Sequence, residues 1–152
     1  MSRSQHFPYI ETHDGFGFVE LLPKLPIVLS HKGRSVSGVG LLDTGASVNV
    51  LPFSLGRDLG LVWDELTMVL SLAGNLARLE ARGVLVNAVV GEFEPVRMVF
   101  AWCKSDDVPL LLGRMNFFAE FNVCLYQHQL MFEVTKHEQT GKTLTVSQSP
   151  PY

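Results

Sequence analysis

The sequence predicts an all-β fold, and three observations support this. Short apolar segments of strand length recur along the chain, and turn residues separate them, for example at 31–33 and 73–75. Helical character is confined to two short stretches, 52–60 and 115–121. The composition, with 47% hydrophobic and 18% charged residues in 152 positions, provides enough apolar area for one core. We therefore expect a single β domain.

The first predicted strands lead to an aspartate. Residues 27–30 and 35–42 have strand character and are joined by a glycine-containing turn at 32–33. This pattern predicts a hairpin whose second strand delivers Asp43. Farther on, residues 52–60 are bounded by a proline and a glycine and could hold one short helical turn.

The longest regular elements come next. Residues 66–72 and 76–84 flank the turn at 73–75, and this arrangement predicts a projecting hairpin. The remaining predicted elements are strands at 85–90 and 96–102, helical spacing within 115–121, and a last strand around 126–132.

The segment 41–47 carries the chemistry. It reads Leu-Leu-Asp-Thr-Gly-Ala-Ser, which places Asp43 on a turn of small residues directly after an apolar run. Seventy positions later (113 minus 43) comes Leu111-Leu112-Gly113-Arg114. This ordering resembles the retropepsin family of homodimeric aspartic proteases, over roughly residues 16–135. The other interpretation of Asp-Thr-Gly is a surface turn in which the aspartate caps a bend.

The resemblance implies a single-lobe, closed acid-protease barrel with a flap hairpin and one short helix. It also implies peptide-bond hydrolysis without cofactor or metal, by a water held between two carboxylates that share one proton. Because the triplet occurs once in the chain, the second carboxylate has to be Asp43 of another subunit. The expected partners are therefore a second copy of the chain and a protein or peptide substrate.

The resemblance also assigns roles to the active-site loop. Thr44 would send its hydroxyl across the dimer axis, and Gly45 would present its carbonyl to the substrate main chain. Ala46 cannot donate a hydrogen bond to the aspartate, as the hydroxyl residue of pepsin-like lobes does, so we expect activity at weakly acidic pH. Ser47 stands where retroviral members commonly have a second aspartate that pairs with the later arginine.

That substitution leaves Arg114 without its usual partner. A backbone carbonyl or Glu120 could accept its hydrogen bonds instead, so we assign Arg114 a structural role. Gly113 would let its strand approach the Asp43 loop closely, and we assign it a structural role as well.

Substrate binding would occur by β-strand addition between the active-site loop and the flap. The resemblance places the flap tip at Ala73, Gly74 and Asn75. It suggests four apolar pocket walls, which could equally be ordinary core residues: Leu41, Val50, Val108 and Leu111.

The chain ends and the charge complete the prediction. We expect an N-terminal extension (1–15), a protease domain (16–135) and a C-terminal tail (136–152), with both ends either disordered or docked. Within the tail, 144–146 has strand character and could join an intersubunit sheet. A net charge of -3 without a run of basic residues argues against nucleic acid as a binding partner. The lack of a long apolar segment or signal peptide predicts a cytoplasmic protein without membrane contact.

Three interpretations remain open from the sequence. The first is a homodimeric aspartic endopeptidase. The second is a module of the same fold that binds peptides or assembles without cleaving. The third is an unrelated β-barrel binding protein with an accidental Asp-Thr-Gly. Catalytic dependence on Asp43 would separate the first from the other two.

Overall fold

The computed structural model describes residues 3–137, which are 50% strand and 14% helix. The strands of this region are β1 (Ser4–Pro8), β2 (Ile10–His13), β3 (Val19–Leu22), β4 (Lys24–His31), β5 (Arg34–Leu42), β6 (Asn49–Leu51), β7 (Val69–Leu70), β8 (Ala81–Val90), β9 (Val96–Cys103), β10 (Leu111–Leu112), β11 (Phe121–Tyr126) and β12 (Met131–Lys136). Its helices are α1 (Phe53–Asp58) and α2 (Phe117–Glu120), with 3₁₀ turns at Trp63–Glu65, Gly74–Leu76 and Gln127–Gln129.

Six strands form a closed barrel in the order β4-β5-β10-β6-β9-β8, which closes where β8 pairs with β4. Strand β8 is long enough to pair with β7 at its beginning and with β4 at its end. The predicted all-β closed barrel is confirmed. The two helices lie within the two stretches, 52–60 and 115–121, that show helical character in the sequence.

Apolar residues at alternate strand positions fill the barrel, as the period of a β-strand requires. Helix α1 packs against this core, with the ring of Phe53 stacked flat on that of Trp102 at a centroid distance of 5.2 Å. The indole N–H of Trp102 donates to the Phe53 carbonyl at 3.1 Å. Gly56 lies directly against the indole, where a β-carbon would have no room. Stacking, a hydrogen bond and close backbone packing thus all join the helix to Trp102.

The hairpin that leads to Asp43 consists of β4 and β5. Its turn has two residues with positive φ, Lys32 at 46° and Gly33 at 82°. This conformation matches the right-handed twist of the strands and fixes their register. Strand β4 starts at Lys24, three residues before the predicted start at 27 (27 minus 24).

The flap is less regular than predicted. Of the strand expected at 66–72, only Val69–Leu70 pairs with β8, and the second flap strand begins at Ala81 instead of residue 76. Between them the chain makes successive turns, including the 3₁₀ turn Gly74–Leu76. Residues 71–80 contain no β-branched or aromatic side chain, so their strand propensity is low.

Two smaller sheets lie outside the barrel. Strand β1 pairs with β12, which also pairs with β11, while β2 and β3 form a separate hairpin. One segment of the predicted N-terminal extension (1–15), Ser4–Pro8, is thus docked on β12 by backbone pairing. The predicted strand at 144–146, like most of the predicted tail, lies outside the described residues. None of the helices between residues 3 and 137 is both long and apolar enough to cross a membrane.

Candidate active site

Asp43 lies immediately after β5, where the parallel neighbour β10 also ends. Its backbone N–H donates to the Leu112 carbonyl at 3.0 Å, which continues the strand pairing up to the aspartate. The chain then turns sharply. The Asp43 carbonyl accepts from the Ala46 N–H at 3.2 Å, and its Oδ1 accepts from the Gly45 N–H at 2.9 Å. The partly buried carboxylate is therefore held by the backbone of its own loop.

Gly113 lies against the other side of this loop. A β-carbon at Gly113 would be 2.5 Å from the Val48 carbonyl oxygen and 2.9 Å from that of Ala46, distances that no side chain tolerates. The next amide, of Arg114, donates to the Ala46 carbonyl at 3.0 Å. Only glycine permits this close backbone contact.

Arg114 hydrogen-bonds to the active-site loop from outside. Its guanidinium donates to the Thr44 carbonyl at 2.6 Å. The sequence left a backbone carbonyl and Glu120 open as acceptors for Arg114. In the structure the acceptor is a backbone carbonyl, that of Thr44. Arg114 and Thr44 are both exposed in the single chain, so neither pays the cost of an unpaired buried group.

Asn49 is a site residue that the sequence analysis missed. It is 0% exposed, and its Oδ1 accepts from the Gly113 N–H at 2.8 Å. Its own backbone N–H donates to Oδ1 of Asn116 at 2.9 Å. The two asparagines thus join the strand after the loop to the start of α2. A signal was present, because Asn49 is a polar residue in an otherwise apolar strand.

A shallow cleft of about 140 Å³ lies between the active-site loop and the flap. No charged side chain lines it, so its walls suit apolar or small groups. The lining residues are Gly45, Ala46, Ser47, Val48, Val50, Leu72, Ala73, Gly74 and Leu76. The structure therefore brings together three predicted loop residues (Gly45, Ala46 and Ser47) and two of the three predicted flap-tip residues, whereas Asp43, Thr44 and Asn75 do not line the cleft.

The four predicted pocket walls divide into two groups. Val50 lines the cleft. Leu41, Val108 and Leu111 belong to the small apolar cluster that also contains Val50 and packs against the loop and the flap.

Burial in the same cluster raises the pKa of the Cys103 thiol. No part of residues 3–137 brings together three or more His, Cys, Asp or Glu side chains in a way that could hold a metal ion.

Comparisons with known proteins support the fold. No protein-family model matches the sequence, and no curated protein is similar enough to count as a relative. Among solved structures, the chain is similar to the crystal structure of a retropepsin-like aspartic protease from Rickettsia conorii. The two are 16% identical, the match covers 90% of this chain and 95% of that one, and the TM-score is 0.52.

At that identity the comparison bears on the fold alone, and the chain has a retropepsin-like fold. Chemically, one chain supplies a single aspartate, Asp43, on the loop that contributes Gly45, Ala46 and Ser47 to the cleft. The paired carboxylates of an acid protease require a second one about 3 Å away. The site is therefore incomplete for that chemistry in one copy of the chain.

Proposed function

We propose that the protein is a homodimeric aspartic endopeptidase. The observation that carries this proposal is the position of Asp43. It directly follows a barrel strand, on a loop that is held by backbone hydrogen bonds and that contributes Gly45, Ala46 and Ser47 to a cleft, and the motif occurs once per chain. The retropepsin-like fold and the structural likeness to an aspartic protease support the same interpretation.

In the proposed dimer, the Asp43 side chains of the two subunits together hold one catalytic water. One carboxylate accepts a proton from the water, whose oxygen attacks the scissile carbonyl. The other carboxyl, protonated, donates to the carbonyl oxygen, and a proton then passes to the departing amine. The loop hydrogen bonds fix the carboxylate before substrate arrives, so little reorganisation is needed during the reaction.

The exposed loop residues suit a role between subunits. Thr44 is exposed in the single chain, as expected for a side chain that hydrogen-bonds across the two-fold axis. Arg114 donates to the Thr44 carbonyl at 2.6 Å, so in this proposal it fixes the position of the loop at the interface between the subunits. Substitution of either residue would weaken the dimer and leave the barrel folded.

The cleft indicates how substrate would bind. An extended peptide would lie between the loop and the flap, with main-chain hydrogen bonds for affinity and alternate side chains in pockets. The volume of about 140 Å³ in one chain is well below the roughly 300–1,000 Å³ of ligand pockets. A second copy facing the first would enlarge the cleft, and its uncharged lining favours apolar side chains at the cleaved bond.

The experiment is peptide-library cleavage between weakly and strongly acidic pH by wild type, Asp43→Asn and the control Asp64→Asn. Asp64 is an exposed aspartate in a 3₁₀ turn outside the cleft. We expect cleavage at weakly acidic pH, loss of it in Asp43→Asn alone, and inhibition by a statine-type transition-state analogue. Cleavage that survives in Asp43→Asn would contradict the proposal.

One observation favours a non-catalytic peptide-binding module as the second candidate. The flap tip is a series of turns and not a regular hairpin, so it covers the cleft with little strand structure. If a folded, dimeric protein bound library peptides in the cleft but cleaved none at any pH, this second function would replace the first.

A further inference from the structure

The β2–β3 hairpin exposes the largest aromatic surface described in the chain. Phe16 is 90% exposed and Phe18 is 74% exposed, and both lie at the tip between the two strands. Val19 and Leu21, on β3 just beyond the tip, are 55% and 41% exposed. Burying apolar area is the main source of stability in a folded chain, so such a concentration of exposed apolar side chains indicates a contact surface.

The turn itself does not need the two phenylalanines. Oδ1 of Asp14 accepts from the backbone N–H groups of Phe16 and Phe18, both at 2.9 Å. Gly17 adopts a φ of 86°, and its N–H donates to the Asp14 carbonyl at 3.3 Å. Every one of these contacts uses the backbone of residues 16–18. The side chains at 16 and 18 are therefore free to serve another purpose.

The hairpin also lacks support from other strands of the chain. Within the described residues, β2 and β3 pair only with each other. A two-stranded hairpin is at best marginally stable in water without a surface to pack on. A partner that covers the tip would supply the missing apolar contacts.

We propose that this hairpin is a dimerisation arm whose tip, Phe16 and Phe18, packs on a second copy of the chain; this rests on the proposed homodimer. The base of the arm adjoins the active-site strand, because the Leu42 N–H donates to the Pro23 carbonyl at 3.2 Å. Pro23 follows β3, and Leu42 precedes Asp43. Two copies that bring their Asp43 side chains together therefore also bring the bases of both arms to the interface.

The reach and the area of the arm fit this role. Four residues per strand at about 3.3 Å each extend the tip roughly 13 Å from the base. At about 150–250 Å² per buried aromatic side chain, the tip with its neighbouring Val19 and Leu21 presents roughly 400 Å² per chain. A two-fold axis doubles every contact, so two arms supply roughly 800 Å² of the 1,200–2,000 Å² of a stable interface. The facing active-site loops would add the remainder.

The charges near the tip favour a protein partner over a membrane. Glu11, Asp14 and Glu20 surround the apolar tip, and His13 is paired with Glu11 at 3.6 Å. Anionic headgroups repel acidic segments and attract basic ones. A mixed polar rim around an apolar centre is instead the composition of protein interfaces.

The test is sedimentation velocity over a roughly thousandfold dilution series of wild type, Phe16→Ser/Phe18→Ser, and the control Val62→Ser/Leu85→Ser. The control removes exposed apolar side chains elsewhere on the surface. We expect the tip variant to dimerise at least about tenfold more weakly than wild type and the control to match wild type. Circular dichroism would show that all three chains fold.

Two results would contradict the proposal that the hairpin is a dimerisation arm. One is a tip variant that dimerises as tightly as wild type. The other is wild type that is monomeric throughout but binds phosphatidylserine vesicles through Phe16 and Phe18, which would assign the tip to a membrane. Peptide cleavage at the highest protein concentration separates the two proposals. Weaker dimerisation of the tip variant, with no cleavage even by wild type, supports the arm and contradicts the protease.

Discussion

Asn49 connects the loop that carries Asp43 to the strand beside it. It is fully buried, and its side chain accepts the Gly113 N–H at 2.8 Å. Asn49→Ala would leave that N–H buried without a partner, which costs about 1–3 kcal/mol. We expect the free energy of unfolding, measured in urea, to fall by that amount, and the proposed peptide cleavage to fall as well because the loop loses its support.

Asn122 provides the matched control for this substitution. It is an exposed asparagine on β11, so Asn122→Ala removes the same atoms from a solvated position. The control should unfold within about 0.5 kcal/mol of wild type. Equal effects of the two substitutions would show that the buried hydrogen bond is unimportant.

Gly113 permits the closest backbone approach in the site. Gly113→Ala would place a β-carbon 2.5 Å from the Val48 carbonyl oxygen, and a backbone atom cannot move aside as a flexible side chain can. We expect a loss of about 2 kcal/mol or more in the free energy of unfolding, measured by thermal or urea denaturation. Gly15→Ala is the control because its β-carbon would meet nothing within 4 Å. A fully stable Gly113→Ala chain would contradict the described packing.

At the residue scale, the sequence identifies residues whose role depends on their immediate neighbours in the chain or on a short motif. Asp43 and Gly113 stand out because an aspartate in a small-residue turn and a glycine after an apolar strand are visible in a short window. Asn49 does not stand out, because its importance depends on a partner that is 64 positions away in sequence. Its polarity within an apolar strand was the one available clue.

Helix α1 depends on a cap from another part of the chain. Its N-cap residue, Pro52, makes no side-chain cap hydrogen bond. Instead Oδ1 of Asp106 accepts the Ser54 N–H at 2.7 Å. This backbone hydrogen bond lowers the pKa of the Asp106 carboxyl below its usual value. The helix end is thus stabilised by an ionised side chain across a loop.

The lowered pKa predicts how this cap depends on pH. A carboxyl with a lower pKa in the folded state stabilises the fold above its unfolded-state pKa, and the contribution disappears as pH falls through the folded-state pKa. We therefore expect Asp106→Ala to lower the melting temperature at neutral pH, with the difference from wild type shrinking below roughly pH 4. Asp107→Ala, its exposed neighbour, is the control. A difference that persists unchanged at low pH would contradict the charged cap.

At the element scale, strand position was more predictable than strand length. The hairpin that leads to Asp43 follows from a two-residue turn between apolar runs. The flap strands were predicted too long, because 66–84 has apolar residues at plausible spacings but lacks β-branched side chains near its turn. Residues 1–15 look polar and terminal, yet β1 docks through backbone hydrogen bonds that any side chain permits. Such pairing leaves little trace in composition.

At the scale of the whole molecule, short alternating segments predict a β domain without revealing how the barrel closes. Closure depends on β4 pairing with β8, strands that are far apart in the chain. The arrangement of the β10 strand between β5 and β6 is likewise set by long-range contacts. The closed barrel was expected only because residues 41–47 and 111–114 resemble the retropepsin family.

The proposed shared active site makes a prediction that no single-chain site would share. If each dimer needs Asp43 from both subunits, an excess of Asp43→Asn chains should sequester wild-type chains into inactive mixed dimers. At a roughly ninefold excess, about one wild-type chain in ten keeps a wild-type partner, so cleavage per wild-type chain should fall about tenfold. The measurement is peptide cleavage after the two proteins have been mixed long enough for subunits to exchange.

The same excess of Asp64→Asn is the control, because that chain carries an intact Asp43 and can complete the site. It should raise total cleavage in proportion to the protein added. Cleavage per wild-type chain that is unaffected by excess Asp43→Asn, in a mixture shown to exchange subunits, would mean that one chain suffices. The paired-aspartate mechanism would then be wrong even if the protein cleaves peptides.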